Sequence, residues 1–307
     1  DMFSDCQKLA ENPEFEPRPF NRDDLKKSVK DLDHLEAEFF FPFLAHSPME
    51  PLNCIIEPAK NGVRFYDGCQ NPSGVQWASS YILGLQPQQI EVKTVYAGGS
   101  FGRRNSPAVK DLYQAEAAIA FALLGKKTPV KLVWGREDDI GGGHYRPMAF
   151  HKTKIGLDAN GKILRWDHRI ATKSISKGTD FEKFLVHDGV DHFSVEGCVD
   201  TLYQLPNMSV GLSDFKSAIP VLWWRGVGHT HTAYAMESLL DMVAQKTGKD
   251  PIELRLDLLN SDDMKQRRLA DVLKISRSRS GWKKGNKRGF VEHYSYKTFV
   301  AVFSDVS

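Results

Sequence analysis

Between residues 62 and 134 the apolar positions follow a repeating order of strands and helices. The stretch "GVRFYDG", which starts at Gly62, and "IEVKTVYA" at 90–97 alternate apolar and polar residues with the period of a strand. "PVKLVW" at 129–134 predicts a third strand. Helical patterns lie between them, so the region predicts an α/β layer in which helices pack on a mixed sheet.

Two helices are predicted within this layer. "SGVQWASSYILG" has Ser73 as a candidate N-cap and Gly84 as its C-cap. A second helix is predicted over 107–124, where Ser106 and Pro107 occupy the N-cap and first helical positions. Both would cover the same sheet.

The pattern changes after this layer. "FHKTKIGLDANGKILRWDHRIATK" predicts a β-hairpin over 150–173, because an Asn-Gly pair separates two strand-like runs. Residues 174–216 show no period and are predicted to be irregular. Residues 230–248 predict an amphipathic helix, and "DPIELRLDLL" predicts a short helix after it.

Both ends of the chain are more polar. Residues 1–35 predict a leader with one short helix in "RDDLKKSVKDLDHL", residues 264–289 a basic connector, and "YKTFVAVFSDVS" a final strand. The fold class is therefore α+β, with mixed α/β layers. The expected division is a leader or linker at 1–35, a first subdomain at 36–140, a second at 141–263, and a connector with the start of a further domain at 264–307.

Composition excludes several classes of protein. The 307 residues are 41% hydrophobic and 26% charged with a net charge of +2, which is typical of a globular chain without electrostatic bias. No apolar run approaches the length of a membrane span, so no transmembrane segment is predicted. The four cysteines are scattered without a CxxC pair, so the chain is not expected to build a zinc or iron–sulfur site alone.

The stretch "YAGGSFGRRN" at 96–105, called the glycine loop below, is the main candidate for chemistry. Its glycines would let another molecule approach the backbone, and Arg103 and Arg104 favour an anion. A helix start after the loop would add free N–H groups. The alternative is a tight strand-to-helix turn with surface arginines, and glycine content alone slightly favours it.

Three further stretches carry candidate residues. "AHSPMEPLNC" has prolines on both sides of Glu50, "DGCQNP" places Gln70 before a helix start, and "LWWRGVGHTHTAYAMESLLDMVA" places Arg225 beside two glycines at a helix entry. His229 and His231 in the last stretch suggest a metal, but two residues apart is a poor ligand spacing on a helix. No metal ligand is therefore assigned.

Taken together, these stretches resemble the molybdenum hydroxylase large subunits of the xanthine dehydrogenase and aldehyde oxidase superfamily. The similar branch comprises the isoquinoline 1-oxidoreductase beta subunit and bacterial membrane-associated aldehyde dehydrogenases. The resemblance covers about residues 36–303, and it is carried by "FLAHSPMEPLN", "GCQNP", "GGSFGRR", "KLVWGREDDI", "HYRPMAFHKTKIGLDANGKI" and "WWRGVGHTHTAYAMESLLDMVA".

The resemblance implies a molybdopterin-binding domain of the xanthine dehydrogenase type, present in part. Phe101 would lie near the metal, and Gln70 would approach its ligands. The implied cofactor-binding residues are Gln70, Gly98, Gly99, Ser100, Phe101, Gly102, Arg103, Arg225, Gly226, Val227 and Gly228. The implied cofactor is molybdopterin with molybdenum, in the cytosine dinucleotide form, and the implied reaction hydroxylates an aldehyde or an N-heterocycle with water as oxygen source.

The departures from the family pattern limit what this chain can do alone. The GVGEPG-like motif that carries the family's general-base glutamate and the GQG segment do not occur here, so no catalytic residue is assigned. Ser100 replaces the usual third glycine of the loop. Such large subunits are much longer, so an internal fragment is expected, inactive by itself and without bound cofactor. Electrons would pass to a small iron–sulfur subunit, with a cytochrome as a further candidate partner; the compartment is not predicted beyond the family's periplasmic or membrane-associated members.

Two other functions remain open from sequence. Residues 265–288 hold ten Lys or Arg against one Asp, which could bind a polyanion such as nucleic acid, although a solvated connector is favoured and no nucleic-acid partner is expected. The third possibility is a cofactor-free relative that keeps the fold as a structural subunit.

Overall fold

The computed structural model describes residues 1–19, 32–105, 113–285 and 288–305. The helices are α1 Met2–Glu11, α2 Pro72–Leu83, α3 Tyr113–Leu123, α4 Arg136–Gly141, α5 Glu182–Leu185, α6 His229–Thr247, α7 Pro251–Asp257 and α8 Met264–Ser280. The strands are β1 Phe15–Arg18, β2 Asp33–Phe41, β3 Leu44–Ala45, β4 Asn53–Ala59, β5 Gly62–Asp67, β6 Ile90–Thr94, β7 Val130–Val133, β8 Tyr145–Arg146, β9 Ala149–Leu157, β10 Ile163–Thr172, β11 Val186–His187, β12 Val190–Asp191, β13 Met208–Asp214, β14 Arg288–Ser295 and β15 Thr298–Asp305.

A four-stranded mixed sheet forms the first layer, in the order β6-β5-β4-β7. β5 pairs parallel to β6, and β4 pairs antiparallel to both β5 and β7. Helices α2 and α3 bury Val75, Leu83 and Phe121 in the core of this layer. The mixed sheet with packed helices predicted from residues 62–134 is therefore confirmed, with β4 as an additional strand.

The start of α2 differs from the sequence prediction, and the predicted start of the next helix lies outside the described residues. Ser73 is not the N-cap of α2, because the Asn71 side chain accepts the Gly74 N–H at 3.0 Å and Pro72 opens the helix. Gly84 closes it in the left-handed conformation, as predicted. The predicted start of the next helix at Ser106 and Pro107 lies outside the described residues.

A five-stranded sheet forms the second layer, in the order β1-β13-β10-β9-β2. The predicted hairpin is confirmed as β9 and β10, which pair antiparallel. The prediction that residues 174–216 are irregular is wrong for β13, which pairs parallel to β10. Every residue of β13 is buried, so its sequence "MSVGLSD" lacks the alternation that marks a half-exposed strand.

Helix α6 confirms the predicted amphipathic helix and covers one face of this sheet. Met236, Leu240 and Val243 are buried in one cluster with Trp166 and Ile170 of β10. The opposite face contacts α1, in which Cys6 and Ala10 are fully buried beside Phe150.

The two polar ends contain more regular structure than the sequence predicted. The leader assigned to residues 1–35 contains α1 and β1, and the last residues of its predicted helix, Asp33–Leu35, belong to β2; residues 20–31 lie outside the described part. The predicted connector contains the helix α8, whose only buried residues are Leu269 and Leu273. The predicted final strand is confirmed as β15, paired with β14. No helix in the described part of the chain is long and apolar enough to cross a membrane.

Candidate functional site

The glycine loop follows β6 and is tied to the "AHSPMEPLNC" stretch by a reciprocal pair of hydrogen bonds. The Gly98 N–H donates to Glu50 Oε2 at 2.7 Å, and the Glu50 N–H donates to Gly98 O at 3.0 Å. A Cβ on Gly98 would lie 2.5 Å from the Glu50 Cβ, so this contact requires glycine. The Gly98 bond, Asn53 and Arg104 together hold the pKa of the Glu50 carboxyl below its usual range.

Gln70 joins the loop from the turn before α2. Its Oε1 accepts hydrogen bonds from the Ser100 hydroxyl and from the Gly102 N–H, the latter at 3.2 Å. Because both neighbours donate, the amide oxygen faces the loop and the NH₂ group is left for another acceptor. Gln70 is exposed, so this donor is accessible.

The two arginines of the loop face the protein interior, which corrects the expectation that their charges meet an anion. Arg103 is buried, pairs with the buried Asp139 at 3.3 Å and lies over the Trp134 ring at 5.3 Å. Arg104 donates to Gly99 O at 2.9 Å and pairs with Glu50 at 3.0 Å. Both side chains therefore stabilise the loop from behind.

Residues Arg225–Gly228, called the arginine segment below, lie against the glycine loop. The Arg225 N–H donates to Phe101 O at 2.8 Å. A Cβ on Gly102 would lie 2.5 Å from Trp223 O, so the two backbones touch here. The structure thus brings together two segments that are more than 100 residues apart in sequence.

An aromatic and cationic stack lies at this junction. The rings of Phe101 and Trp224 are stacked, with centroids 5.9 Å apart and planes at 19°. The Arg225 guanidinium lies 5.2 Å from the Phe101 ring centroid and 5.5 Å from that of Trp224. Arg225 is exposed, in contrast to Arg103 and Arg104, so its charge faces outward.

The backbone is strained in both segments. Phe101 has φ +57° and Val227 has φ +50°, values in the left-handed region that side chains with a Cβ rarely adopt. Val227 is β-branched, which makes its conformation the more unfavourable of the two. Strain of this kind persists only when neighbouring contacts hold it, and it is concentrated at functional sites.

The junction presents hydrogen-bond donors without protein acceptors. Among the described residues, the N–H groups of Gly99, Ser100 and Phe101 have no acceptor, and neither does the buried indole N–H of Trp224. Consecutive N–H groups beside a left-handed residue form a concavity that binds anions. With Arg225 beside them, these groups fit an anionic ligand.

The histidines that suggested a metal belong to two separate networks. His229 Nδ1 lies 2.7 Å from His293 Nε2. His231 Nδ1 lies 2.8 Å from Nε2 of His151. The other ring nitrogen of His151, Nδ1, lies 2.7 Å from Nε2 of His168. Imidazole nitrogens this close share a hydrogen bond, so His229 and His231 do not converge on one ion.

Sequence reasoning missed the residues that support the arginine segment. The Gly228 N–H donates to Glu196 Oε1 at 2.8 Å, and Glu196 lies in the stretch predicted to be irregular. His151, His168 and His293 were not singled out either. Each is isolated in sequence, and only the packing of α6 against the sheet and β14 brings them to the site.

Comparison with known proteins identifies the domain family of the chain. A family model described as "Molybdopterin cofactor-binding domain" matches residues 9–259. The chain is 28% identical over 240 residues to the isoquinoline 1-oxidoreductase subunit beta of Brevundimonas diminuta, covering 78% of this chain and 29% of that relative. It is 26% identical over 237 residues to the membrane-bound aldehyde dehydrogenase (pyrroloquinoline-quinone) of Gluconacetobacter polyoxogenes, covering 73% and 29%.

Solved structures share the fold. Quinoline 2-oxidoreductase from Pseudomonas putida 86 superimposes with a TM-score of 0.65 at 16% identity, covering 91% of this chain and 38% of that one. Aldehyde oxidoreductase from Desulfovibrio gigas gives 0.63 at 19% identity, covering 92% and 32%. The chain therefore spans less than a third of the curated relatives and less than two fifths of these structural neighbours.

Proposed function

This chain belongs to the molybdopterin cofactor-binding domain family, and we propose that its glycine loop and arginine segment together hold molybdopterin in a molybdenum-dependent hydroxylase or aldehyde dehydrogenase. The observation that carries this proposal is the junction itself. The outward Arg225 guanidinium lies over the ring of Phe101, whose N–H is one of the free groups, so an anionic group at the junction could contact both.

Each part of the junction has a separate task in this proposal. The N–H groups of Gly99, Ser100 and Phe101 and the Arg225 guanidinium bind anionic groups of the cofactor. The NH₂ group of Gln70 offers a neutral donor at the same edge. Arg103 contributes by stabilising the loop, since its side chain pairs with Asp139 and its N–H donates to Ser100 O at 3.0 Å. The bound cofactor supplies the redox chemistry, and the protein positions it.

The finer assignments rest on the relatives. We propose an aldehyde or N-heterocycle as substrate, the cytosine dinucleotide form of the pterin, and an iron–sulfur protein as electron acceptor. The general base would come from a glutamate motif that these 307 residues do not contain. The chain by itself is therefore expected to bind the cofactor weakly, since a site loses contacts when some of its segments are missing, and to turn over no substrate.

Removing the Arg225 charge tests the cofactor site directly. In a protein that carries this chain with the further segments of its relatives, Arg225→Ala should weaken binding about ten- to a hundredfold, the effect of roughly 1.5–3 kcal/mol from one charge-assisted contact. The measurement is molybdenum and pterin content per folded protein.

Gly99→Val tests close approach to the loop. Gly99 has φ +100°, and its Cβ would lie 3.3 Å from Pro48, so a branched side chain should obstruct the backbone. Lys283→Ala, an exposed change distant in sequence from both segments, is the control and should leave cofactor content unchanged. Full cofactor content in both Arg225→Ala and Gly99→Val would refute the proposal, provided that circular dichroism shows both variants to be folded.

The polyanion alternative is less favoured by the contacts of the basic residues. Arg277 pairs with Glu253, Arg288 pairs with Asp305, and Arg268 lies 4.7 Å from the Phe299 ring centroid. These side chains stabilise α8 and the β14–β15 hairpin. Retention on a polyanion column that falls steeply with salt would support the alternative.

A further inference from the structure

Glu196 lies behind the arginine segment and contacts the start of α6. Its side chain is buried, and its Oε1 accepts the Gly228 N–H at 2.8 Å. Its carbonyl accepts the Thr232 hydroxyl at 2.7 Å, one turn further along α6. The carboxylate therefore occupies the end of α6 where free N–H groups and the helix dipole favour a negative charge.

The fit between Glu196 and Gly228 is close. A Cβ on Gly228 would lie 2.1 Å from Phe193 O and 2.7 Å from the Glu196 Cγ. The preceding residue is the strained Val227, whose N–H donates to Trp224 O at 2.7 Å. The strained turn is thus fixed on one side by its own short bond and on the other by Glu196.

The charges around Glu196 come from several elements. Burial, together with Asp200 and Asp191, raises the pKa of its carboxyl to about 7, and the N–H groups of Gly228 and His229 oppose the rise. His229 Nε2, on α6, lies 3.7 Å from Oε2. Tyr296 faces the same carboxyl from the β14–β15 turn. Burial raises the pKa of the Tyr296 hydroxyl, and the Glu196 carboxyl adds to that rise.

We propose that Glu196 is a positioning residue, whose carboxylate fixes the N-terminus of α6 and through it the backbone of the arginine segment. The ordering of the arginine segment by Glu196 follows from contacts within the chain. Only the effect of this ordering on cofactor binding rests on the proposed function. Among the described residues, no hydrogen bond or ion pair joins Glu196 to the glycine loop, so it acts through Gly228.

The Gly228 amide reports on this bond. When the acceptor becomes charged, the hydrogen bond strengthens and its proton moves downfield. With selectively ¹⁵N-glycine-labelled protein, the Gly228 amide proton should titrate with a midpoint of about 7. The same titration should be absent in Glu196→Gln, which keeps the shape and the acceptor but not the ionisation.

Gly98 provides an internal control in the same spectra. Its N–H also donates to a carboxylate, that of Glu50, but the pKa of Glu50 is lowered. Its amide should therefore not titrate with Glu196. A Gly228 amide that does not change through neutral pH, or that titrates equally in Glu196→Gln, would overturn the proposal.

Proteolysis measures the ordering of the segment. Glu196→Ala removes the acceptor, so trypsin should cleave after the exposed Arg225 about three- to tenfold faster, while Glu196→Gln should restore most of the protection. Glu16→Gln, an exposed glutamate of β1, is the matched control. Unchanged cleavage in folded Glu196→Ala would contradict the proposal.

These measurements need no cofactor, so they separate the inference from the proposed function. If the amide and protease results hold but pterin content does not respond to Arg225→Ala, Glu196 still positions the segment and the cofactor assignment fails. If pterin content responds but cleavage in Glu196→Ala is unchanged, the cofactor assignment stands and the positioning role fails.

Discussion

The glycine loop and the arginine segment meet at one junction but are stabilised by different chemistry. Behind the loop lie the guanidinium groups of Arg103 and Arg104, paired with Asp139 and Glu50. Behind the segment lie Glu196 and the networks of imidazoles that start at His229 and His231. One support consists of charges, the other of groups that change protonation between acidic and neutral pH.

This difference places the pH sensitivity of the molecule on one side of the site. Guanidinium groups stay charged at all relevant pH values, and the pKa of Glu50 is lowered. Burial instead raises the pKa of Glu196 to about 7 and lowers that of His168 to about 3. We therefore expect mild acid to affect the arginine segment and α6 before it affects the glycine loop.

The Glu196 pKa also fixes the sign of its effect on global stability. The unfolded carboxyl ionises near its ordinary pKa of 4.5, whereas the folded one has a pKa of about 7. The unfolded state therefore loses its proton first, so the contribution of Glu196 to the free energy of unfolding falls as pH rises between these values. Glu196→Gln should abolish this fall.

The largest expected effect comes from breaking the support of the glycine loop. Arg103→Ala leaves the buried Asp139 carboxylate with Arg136, at 3.0 Å, as its remaining ion-pair partner in the described part of the chain, and should lower the free energy of unfolding by up to about 3 kcal/mol. Urea denaturation at neutral pH measures the loss. Arg64→Ala removes a more exposed pair with Glu91, between β5 and β6, and should lower the free energy of unfolding much less. Equal losses in the two variants would contradict this account of the loop.

The next effect belongs to the imidazoles behind the arginine segment. His151, His168 and His231 are buried, and burial lowers the pKa of each. The unfolded state binds protons below about pH 6.5 while the folded state does not, so these histidines lower the free energy of unfolding as pH falls. For His168 and His231, whose folded pKa is about 3, the loss is about 1.4 kcal/mol per pH unit each.

Replacing one of these histidines sharpens the comparison. His168→Leu should reduce the slope of unfolding free energy against pH by about one proton between pH 5 and 6.5. Arg103→Ala should lower the whole curve in that range without changing its slope. A variant His168→Leu with the wild-type slope would show that this residue does not cause the acid sensitivity.

The sequence predicted the elements whose patterns are local. The β9–β10 hairpin, α6 and β15 were predicted because each shows periodicity or a turn signal within a short window. The glycine loop and the arginine segment were also singled out as candidates, from their glycines and from family resemblance. Their contact at Phe101 and Arg225 then follows from the fold.

The parts that were missed depend on burial, which a local pattern does not show. β13 has no alternation because both of its faces are covered. Arg103 and Arg104 suggested an exposed anion site, but Asp139 and Glu50 are far away in sequence and draw them inward. Glu196 carried no motif, because its role depends only on its position beside Gly228.

The smallest expected effect concerns Ser100, the residue that departs from the family's third glycine. Its hydroxyl bonds Gln70 Oε1 and accepts the Arg104 N–H at 3.1 Å, so it ties the loop to the turn before α2. Ser100→Ala should lower the free energy of unfolding by about 0.5–1.5 kcal/mol, the usual value of such bonds.

The loss should also be the same at pH 6 and pH 8, because neither the hydroxyl nor the Gln70 amide titrates. Ser278→Ala, on α8, is the matched control, since its hydroxyl bonds only a carbonyl of its own helix. If the cost of Ser100→Ala changed between pH 6 and pH 8, a titrating group would lie within the glycine loop. The contrast between the two sides of the site would then be wrong.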